Sequence, residues 1–536
     1  MNLSRNYIEK HLEPSRNNWK VEPASLGLQK IQTHNGYNFS ISGDREIDWK
    51  APISFQEKTS RMWLLSLSFL VRVWEDNRLT SIEVLRSFHK FLSDQTNAEF
   101  VYSIASADHC AASRLRTMCF VAVTEGIGSE AYKLASEIAE RDCRWIMASP
   151  KALPMNNHGM MVATALLHVC AIMNLDINND LSARSKSFLQ EMLSVVFDKN
   201  GFCNENTVGY HDFYRKTLTQ LRDFSKDYGV TDVAALIDEF LPTIENALYK
   251  TVWNSGGIPP IGDSGEYLTR YKSIPGLHAF DTGMTVYKDD KTYLSVICGC
   301  LTETHKHMDD LSVTLRHLDT DLIIDCGSYN YDWNDPIRLC VASANGHSCL
   351  SFQEIDQYTR GNFHREYGKN YVASSKVTGN NPPSIQCDVE LRDKGIVARR
   401  DVILTSPEHI VIRDSFTKDS KALQRFIIPG EASVTVVGTD VLVQNGNVSM
   451  LIAAGRSDVI VARGQKEPTY KGWASKKFGE IEPAYCVEIH PKSRSSLQTH
   501  IYFGEGENGK PNSLPKGERF MLSVRNSFRR KNLPVG

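Results

Sequence analysis

The chain has 536 residues, of which 41% are apolar and 23% charged. This is ordinary globular usage and excludes a disordered, collagenous or coiled-coil protein. Lys and Arg total 61 against 63 Asp and Glu, a net charge of −2, so no global field draws nucleic acid or an anionic membrane. The longest apolar stretch, Met160 to Leu175, is shorter than the roughly 20 residues a bilayer span needs. No apolar run follows the N-terminus, so no secretory signal is readable and a cytoplasmic protein is the default, with export by another route left open. The 12 cysteines are scattered without a CxxC, which predicts buried free thiols in a reducing compartment.

Residues 1–50 carry no motif and read as an N-terminal extension, and the next stretch, 51–275, reads helical. Thr80-Ser81-Ile82-Glu83 has capping-box form, and Ile82, Leu85, Phe88, Phe91 and Leu92 follow at helical spacing. Trp63–Trp74, Arg114–Val123, Ala131–Met147 and Met160–Met173 are further predicted helices. So are the periodic runs Phe188–Phe197 and Val233–Leu248, the latter to be kinked or broken at Pro242. Amphipathic helices in series must bury their apolar stripes against one another, as in a bundle or an (α/α) toroid.

Near residue 275 the period changes from helix to strand. Gly283–Val286 and Thr292–Cys298 flank a turn, as do Val402–Leu404 and Ile410–Ile412. Val441–Val443 and Val448–Ile452 flank Asn445-Gly446, a type I′ signal. Residues 276–536 therefore read as an antiparallel β-sandwich. The basic tail Ser527–Lys531 reads as a solvated terminus.

Four clusters can carry chemistry. Asn156-Asn157-His158-Gly159 opens a predicted helix, where free N–H groups and the positive dipole end suit a carboxylate; the plainer reading is an N-cap. Glu205 to Tyr214 is polar and aromatic at once, and alone it reads as a loop packed on the core. His305-Lys306-His307-Met308-Asp309 is followed 18 residues after His307 by Asp325, and 22 later by His347. Two imidazoles and a carboxylate at strand spacings suit zinc, and on a strand His305 and His307 would share a face. Asp325 to Tyr331 turns at Gly327, and its tyrosines can line a sugar site or cap the sandwich.

In this order the motifs resemble those of the heparinase II/III-like polysaccharide lyases: Asn157-His158, Gly209-Tyr210-His211, Gly262-Asp263-Ser264, His305 to Asp309, Asp325 to Tyr331, and Ala344-Asn345-Gly346-His347. The resemblance covers roughly residues 60 to 420. It implies an (α/α) toroid followed by an antiparallel β-sandwich, and β-elimination at uronic-acid residues of an acidic polysaccharide or oligosaccharide. On that reading Asn157 and His158 neutralise the substrate carboxylate. Tyr210 is the acid, or both acid and base, with His305 the alternative base. Asn206, His211, Arg215 and Tyr329 contact substrate, and His307, Asp325 and His347 hold a structural Zn2+. No nucleic acid or membrane partner is expected, and a homo-oligomer is left open. Arg141, Arg144, Arg215 and Lys216 are the local cations available to a polyanion. The competing readings are a zinc-dependent hydrolase using the same His and Asp set directly, and a non-catalytic glycan-binding or surface-polysaccharide assembly protein.

Overall fold

The computed structural model describes residues 19–25, 28–33, 38–42, 47–50, 57–352, 360–417, 422–493, 495–507 and 510–511. The basic tail lies outside them. The described residues fall into two compact units, one from within 1–197 and 213–243, the other from within 198–212 and 244–536.

The first unit holds most of the helices. Helix Ala107–Glu125 packs against Glu130–Ala148 and Asn157–Ile172, and the last packs against Asn178–Val195. Their contact faces are built from small and aliphatic residues such as Ala111, Leu115, Ile138, Ala163, Leu166 and Leu189, all buried. A buried ion pair, Arg114 to Asp142, ties the first two of these helices together, with Arg114 Nη1 also donating to the Leu65 carbonyl at 2.6 Å. Three expectations differ from the structure. The predicted helix Trp63–Trp74 is two helices, Glu57–Leu65 and Leu70–Asp76, separated at Leu67, whose φ is +57°. The capping box at Thr80 is not used: helix Arg78–Ser93 starts earlier, and the Asn77 side chain accepts from Thr80 N–H at 3.1 Å. Nor is the helix carrying Pro242 broken, for it runs from Thr231 to Thr251 with the proline inside. A three-stranded antiparallel sheet, Trp19–Ser25, Leu28–Thr33 and Asn38–Ser42, precedes the helices.

The second unit is built from antiparallel sheets. Five strands follow one another as Gly276–Ala279, Met284–Lys288, Thr292–Ile297, Ser312–His317 and Thr320–Ile323. A nine-stranded sheet runs Tyr371–Asn380, Pro383–Leu391, Ile396–Ser406, His409–Phe416, Ser496–Glu507, Val448–Ala453, Asp440–Asn445, Ser433–Val437, with Lys510–Pro511 on the long strand. A four-stranded sheet completes the set. Their inner faces share one apolar core, in which Val296, Val313, Ile385, Val402, Ile412, Phe426, Val441, Met450 and Ile501 all take part. The strand Ile396–Ser406 shows the expected period of two, with Ile396, Ala398, Arg400, Val402 and Leu404 inward. Arg400 is the exception in kind, a fully buried guanidinium satisfied by both oxygens of Asp414 at 2.8 and 2.7 Å. All three predicted hairpins form. The last is not type I′: Gly446 alone takes a positive φ, +53°, where that turn needs two.

On the outer face of the nine-stranded sheet a row of side chains is hydrogen-bonded edge to edge. Thr405 Oγ1 lies 2.7 Å from His409 Nδ1, His409 Nε2 lies 3.0 Å from His500 Nδ1, His500 Nε2 lies 2.9 Å from Gln498 Nε2, and Arg413 Nε donates to Gln498 Oε1 at 3.1 Å. Tyr502 stacks on His409, with ring centroids 4.2 Å apart. All 12 cysteines are free, ten of them buried, as expected. No helix among the described residues is long and apolar enough to cross a membrane.

Candidate active site

Three loops of the second unit converge. The first is the start of helix Val208–Asp227 and the turn before it. The Thr207 side chain accepts from Tyr210 N–H at 3.0 Å and so fixes where the tyrosine leaves the backbone. Gly209 has a packing reason: a Cβ there would sit 2.5 Å from Ser264 Oγ, so the glycine lets this turn approach the Gly262-Asp263-Ser264 loop. The second is the long connection between strands Thr292–Ile297 and Ser312–His317, which carries His305 and His307. The third follows strand Thr320–Ile323 and carries Asp325 to Tyr331.

His305 is therefore on a loop and not on a strand, with φ at +57°, a conformation a non-glycine residue holds only where its surroundings impose it. Those surroundings are specific. The Asn206 amide donates to the carbonyls of Thr302 and Thr304, both at 2.8 Å, and buried Lys306 is paired with Asp309 and Asp310. The His305 ring stacks on Tyr210 with centroids 3.6 Å apart and planes inclined by 21°. Its Nδ1 is 3.3 Å from Asp263 Oδ2 and its Nε2 is 3.5 Å from Glu205 Oε2. The Tyr210 hydroxyl is 2.8 Å from the Tyr331 hydroxyl. Burial, the neighbouring Tyr331 and the Asp263 and Glu205 carboxylates push the Tyr210 phenol well above its ordinary value, so it is protonated at neutral pH.

Asp263 is the hub. Its Oδ1 lies 3.0 Å from His307 Nε2 and 2.7 Å from Arg338 Nη1, while its Oδ2 lies 3.1 Å from Arg338 Nη2. Burial opposes its ionisation, but His307 and Arg338 hold its carboxyl well below the usual carboxylate range. Arg338 is fully buried, and its guanidinium lies over the Trp333 ring at 4.4 Å. Asp263, Glu303, Thr304, His305, Tyr331, Trp333 and His364 line an open cleft of about 330 Å³.

Behind this cleft lies a metal-competent cluster. His307, Asp325 and His347 are all buried and each offers one ligand atom, all within 4.8 Å of one another; they are the one such group among the described residues. Gly262 and Gly327 N–H groups donate to Asp325 Oδ1 at 3.2 and 3.0 Å, and Asp325 Oδ2 lies 2.8 Å from His347 Nδ1. His307 Nδ1 and His347 Nε2 are buried without a hydrogen-bond partner. Two orphaned imidazole nitrogens beside a carboxylate are costly unless an electrophile satisfies them, and this donor set fits a metal ion. Gly327, at φ +65°, is required here, since a Cβ would meet Ser475 O at 2.3 Å.

The spacing-based ligand trio thus comes together, and so do Tyr210 and His305. Three substrate-contact assignments need correction. His211 is fully buried, its Nδ1 accepting from Cys203 N–H at 3.2 Å and its Nε2 facing the Ile244 carbonyl at 2.9 Å, so it braces the backbone. Asn206 holds the His305 loop. Tyr329 packs on the cluster around Ile324 and Cys326, and Tyr331, two residues on, is the tyrosine that reaches the site. Asn157, His158 and Arg215 belong to the first unit. There Asn156 is the N-cap, and its side chain accepts from His158 N–H at 3.0 Å. The His158 ring lies 3.1 Å from Asp108, and Asn157 is buried in the first turn. Arg215 is half-buried on helix Val208–Asp227. Asp263, Arg338, Glu205 and Tyr331 were not assigned roles from sequence. The Gly262-Asp263-Ser264 motif was the signal that pointed to the first.

Residues 274–508 match the family model described as Heparinase II/III-like, C-terminal. No curated protein matches the chain at a significant level. Among solved structures, a heparinase III matches with a TM-score of 0.68 at 13% identity, over 88% of this chain and 81% of that one. The heparan sulfate lyase HepC from Pedobacter heparinus, in a mutant form, matches at 0.63 and 13%, over 94% and 83%. A second heparinase III, the BT4657 gene product, matches at 0.62 and 14%, over 89% and 84%. These likenesses show a common fold, a helical region followed by antiparallel sheets.

Proposed function

We propose that this protein is a polysaccharide lyase that cleaves a uronic-acid-containing glycan by β-elimination. The observation that carries the reading is the stacking of Tyr210, its phenol held protonated, on His305, which lines an open cleft. Solved structures of the same fold bear the names heparinase III and heparan sulfate lyase, which supports the reaction class.

Elimination removes the C5 proton of a uronic acid, which is α to a carboxylate, and expels the O4 substituent. A protonated phenol is suited to give its proton to the departing O4, and Tyr210 takes that role. His305 takes the C5 proton. Its Nδ1–H donates to Asp263, which leaves Nε2, at the outer limit of hydrogen-bond distance from Glu205, as the basic nitrogen. Trp333 offers an apolar face to a sugar ring in the cleft. His307, Asp325 and His347 would hold zinc. Bound there, the ion would supply structure, fixing the loop that carries His305 from behind the cleft.

The test is incubation with a panel of uronic-acid polymers, including bacterial capsules and exopolysaccharides, followed by ultraviolet absorbance of the new C4=C5 double bond and mass spectrometry. Elimination gives unsaturated products with no added water. Saturated products that carry an added water would favour the hydrolase instead, and binding without any turnover would favour a glycan-binding protein.

A further inference from the structure

Asp263 has two oxygens and spends them on two different histidines. Oδ2 lies 3.3 Å from His305 Nδ1, the imidazole stacked on Tyr210, while Oδ1 lies 3.0 Å from His307 Nε2, whose other nitrogen is the orphaned metal donor. The carboxylate is buried, and Arg338 grips both of its oxygens, at 2.7 and 3.1 Å. Arg338 is itself fully buried and packed on Trp333, so the carboxylate cannot rotate without breaking a buried, charge-assisted pair. From these contacts we infer that Asp263 is a positioning residue that fixes the tautomers of His305 and His307 together, and so couples the occupancy of the metal cluster to the orientation of the cleft imidazole.

A carboxylate only accepts, so each ring nitrogen facing it must carry the hydrogen. That leaves the hydrogen-free nitrogens as Nε2 of His305, 3.5 Å from Glu205 Oε2 and so at the limit of hydrogen-bond distance, and the buried, unpartnered Nδ1 of His307. An amide at position 263 has one accepting and one donating end and cannot serve both rings in this way. One ring must then take the opposite tautomer or lose its partner, and Arg338 loses half of its counter-ion. Ser328, whose Oγ lies 3.5 Å from the same Oδ1, touches neither ring and serves as the control.

The role in turnover rests on the lyase reading above; the metal and tautomer readouts do not. The experiment compares wild type, Asp263→Asn and Ser328→Ala by zinc titration, by long-range nitrogen–proton NMR of 15N-histidine-labelled protein, which reads each imidazole tautomer, and by steady-state kinetics on any glycan that wild type cleaves. In Asp263→Asn, zinc affinity falls roughly 10–100-fold, as expected on loss of such a partner. The His305 or His307 tautomer pattern changes, and kcat drops with KM little moved. Ser328→Ala keeps all three. Unchanged zinc affinity and unchanged tautomers in folded Asp263→Asn would overturn the inference. If the asparagine variant does not fold, Asp263→Glu, which retains the charge opposite Arg338 but shifts it by one methylene, is read in the same way. Its longer side chain must disturb at least one of the two histidines, and no change in either refutes the coupling. Should wild type cleave no glycan, the lyase reading fails on its own, while zinc binding and tautomers still decide the role of Asp263.

Discussion

Replacing Tyr210 by phenylalanine removes one oxygen and leaves the ring stacked on His305. Two costs follow, and they differ in size. For stability the variant loses the hydrogen bond to the Tyr331 hydroxyl at 2.8 Å, on an exposed edge, worth about 0.5–1.5 kcal/mol. For catalysis it loses a phenol that its surroundings keep protonated at neutral pH, and so the whole of the proton donated to O4. A positioned general acid typically contributes about 10²–10⁴ in rate, or about 3–5 kcal/mol of barrier at 1.36 kcal/mol per decade. The assay is initial-rate ultraviolet absorbance on the best acidic polymer, alongside binding of the same polymer and a thermal melt. Tyr331→Phe is the matched comparison, because it breaks the same hydrogen bond but leaves the donor. We expect Tyr210→Phe to bind, to melt within a few degrees of wild type and to turn over at least about 100-fold more slowly, with Tyr331→Phe within about tenfold of wild type. Retention of wild-type turnover by Tyr210→Phe, or an equal loss in both variants, would refute the assignment of the acid.

Lys288 is buried, with its ammonium on the carbonyls of Tyr249 and Val252 and on Ser273 Oγ, and burial lowers it to about 7. Between that value and the unfolded value near 10 the unfolded chain holds the extra proton, so stability from this group rises with pH, by up to about 1.4 kcal/mol per unit. Lys288→Met should flatten the difference between denaturant unfolding at pH 7 and pH 9, and an unchanged slope would contradict this. Gly327→Ala should destabilise the protein by about 2 kcal/mol or more, read as a drop in melting temperature, because its φ of +65° and the Ser475 carbonyl 2.3 Å from a new Cβ leave no relaxed alternative. Chelation should lower the melting temperature of wild type and restored zinc should raise it, since a ligand of the folded state stabilises by mass action. His347→Ala should show neither effect.

The change of period near residue 275 was legible because amphipathic helices and alternating strands write different patterns. The ligand trio was legible from the spacing of His307, Asp325 and His347. Other parts of the site were not. Asp263 sits in a Gly-Asp-Ser turn, where an aspartate is normally a turn former, and nothing local shows that Arg338, 75 residues on, will neutralise it. Tyr329 and Tyr331 are indistinguishable by composition, and only the direction of the loop decides which reaches the phenol of Tyr210. His305 and His307 read as a strand pair because HxH alternates. The backbone turns left-handed at His305, and the two rings reach different neighbours through opposite oxygens of one carboxylate.

The row of side chains on the outer sheet face has a polarity of its own. Arg413 can only give a hydrogen to Gln498, so the amide nitrogen of Gln498 must face His500. At the other end the Thr405 hydroxyl gives its hydrogen to the His409 carbonyl and receives one from the ring. Every member therefore passes a hydrogen in the same direction, and both imidazoles are uncharged with all four nitrogens engaged. A proton added to either ring would set two N–H groups head to head, so acidification should unzip this one-way relay while leaving the backbone ladder beneath it intact.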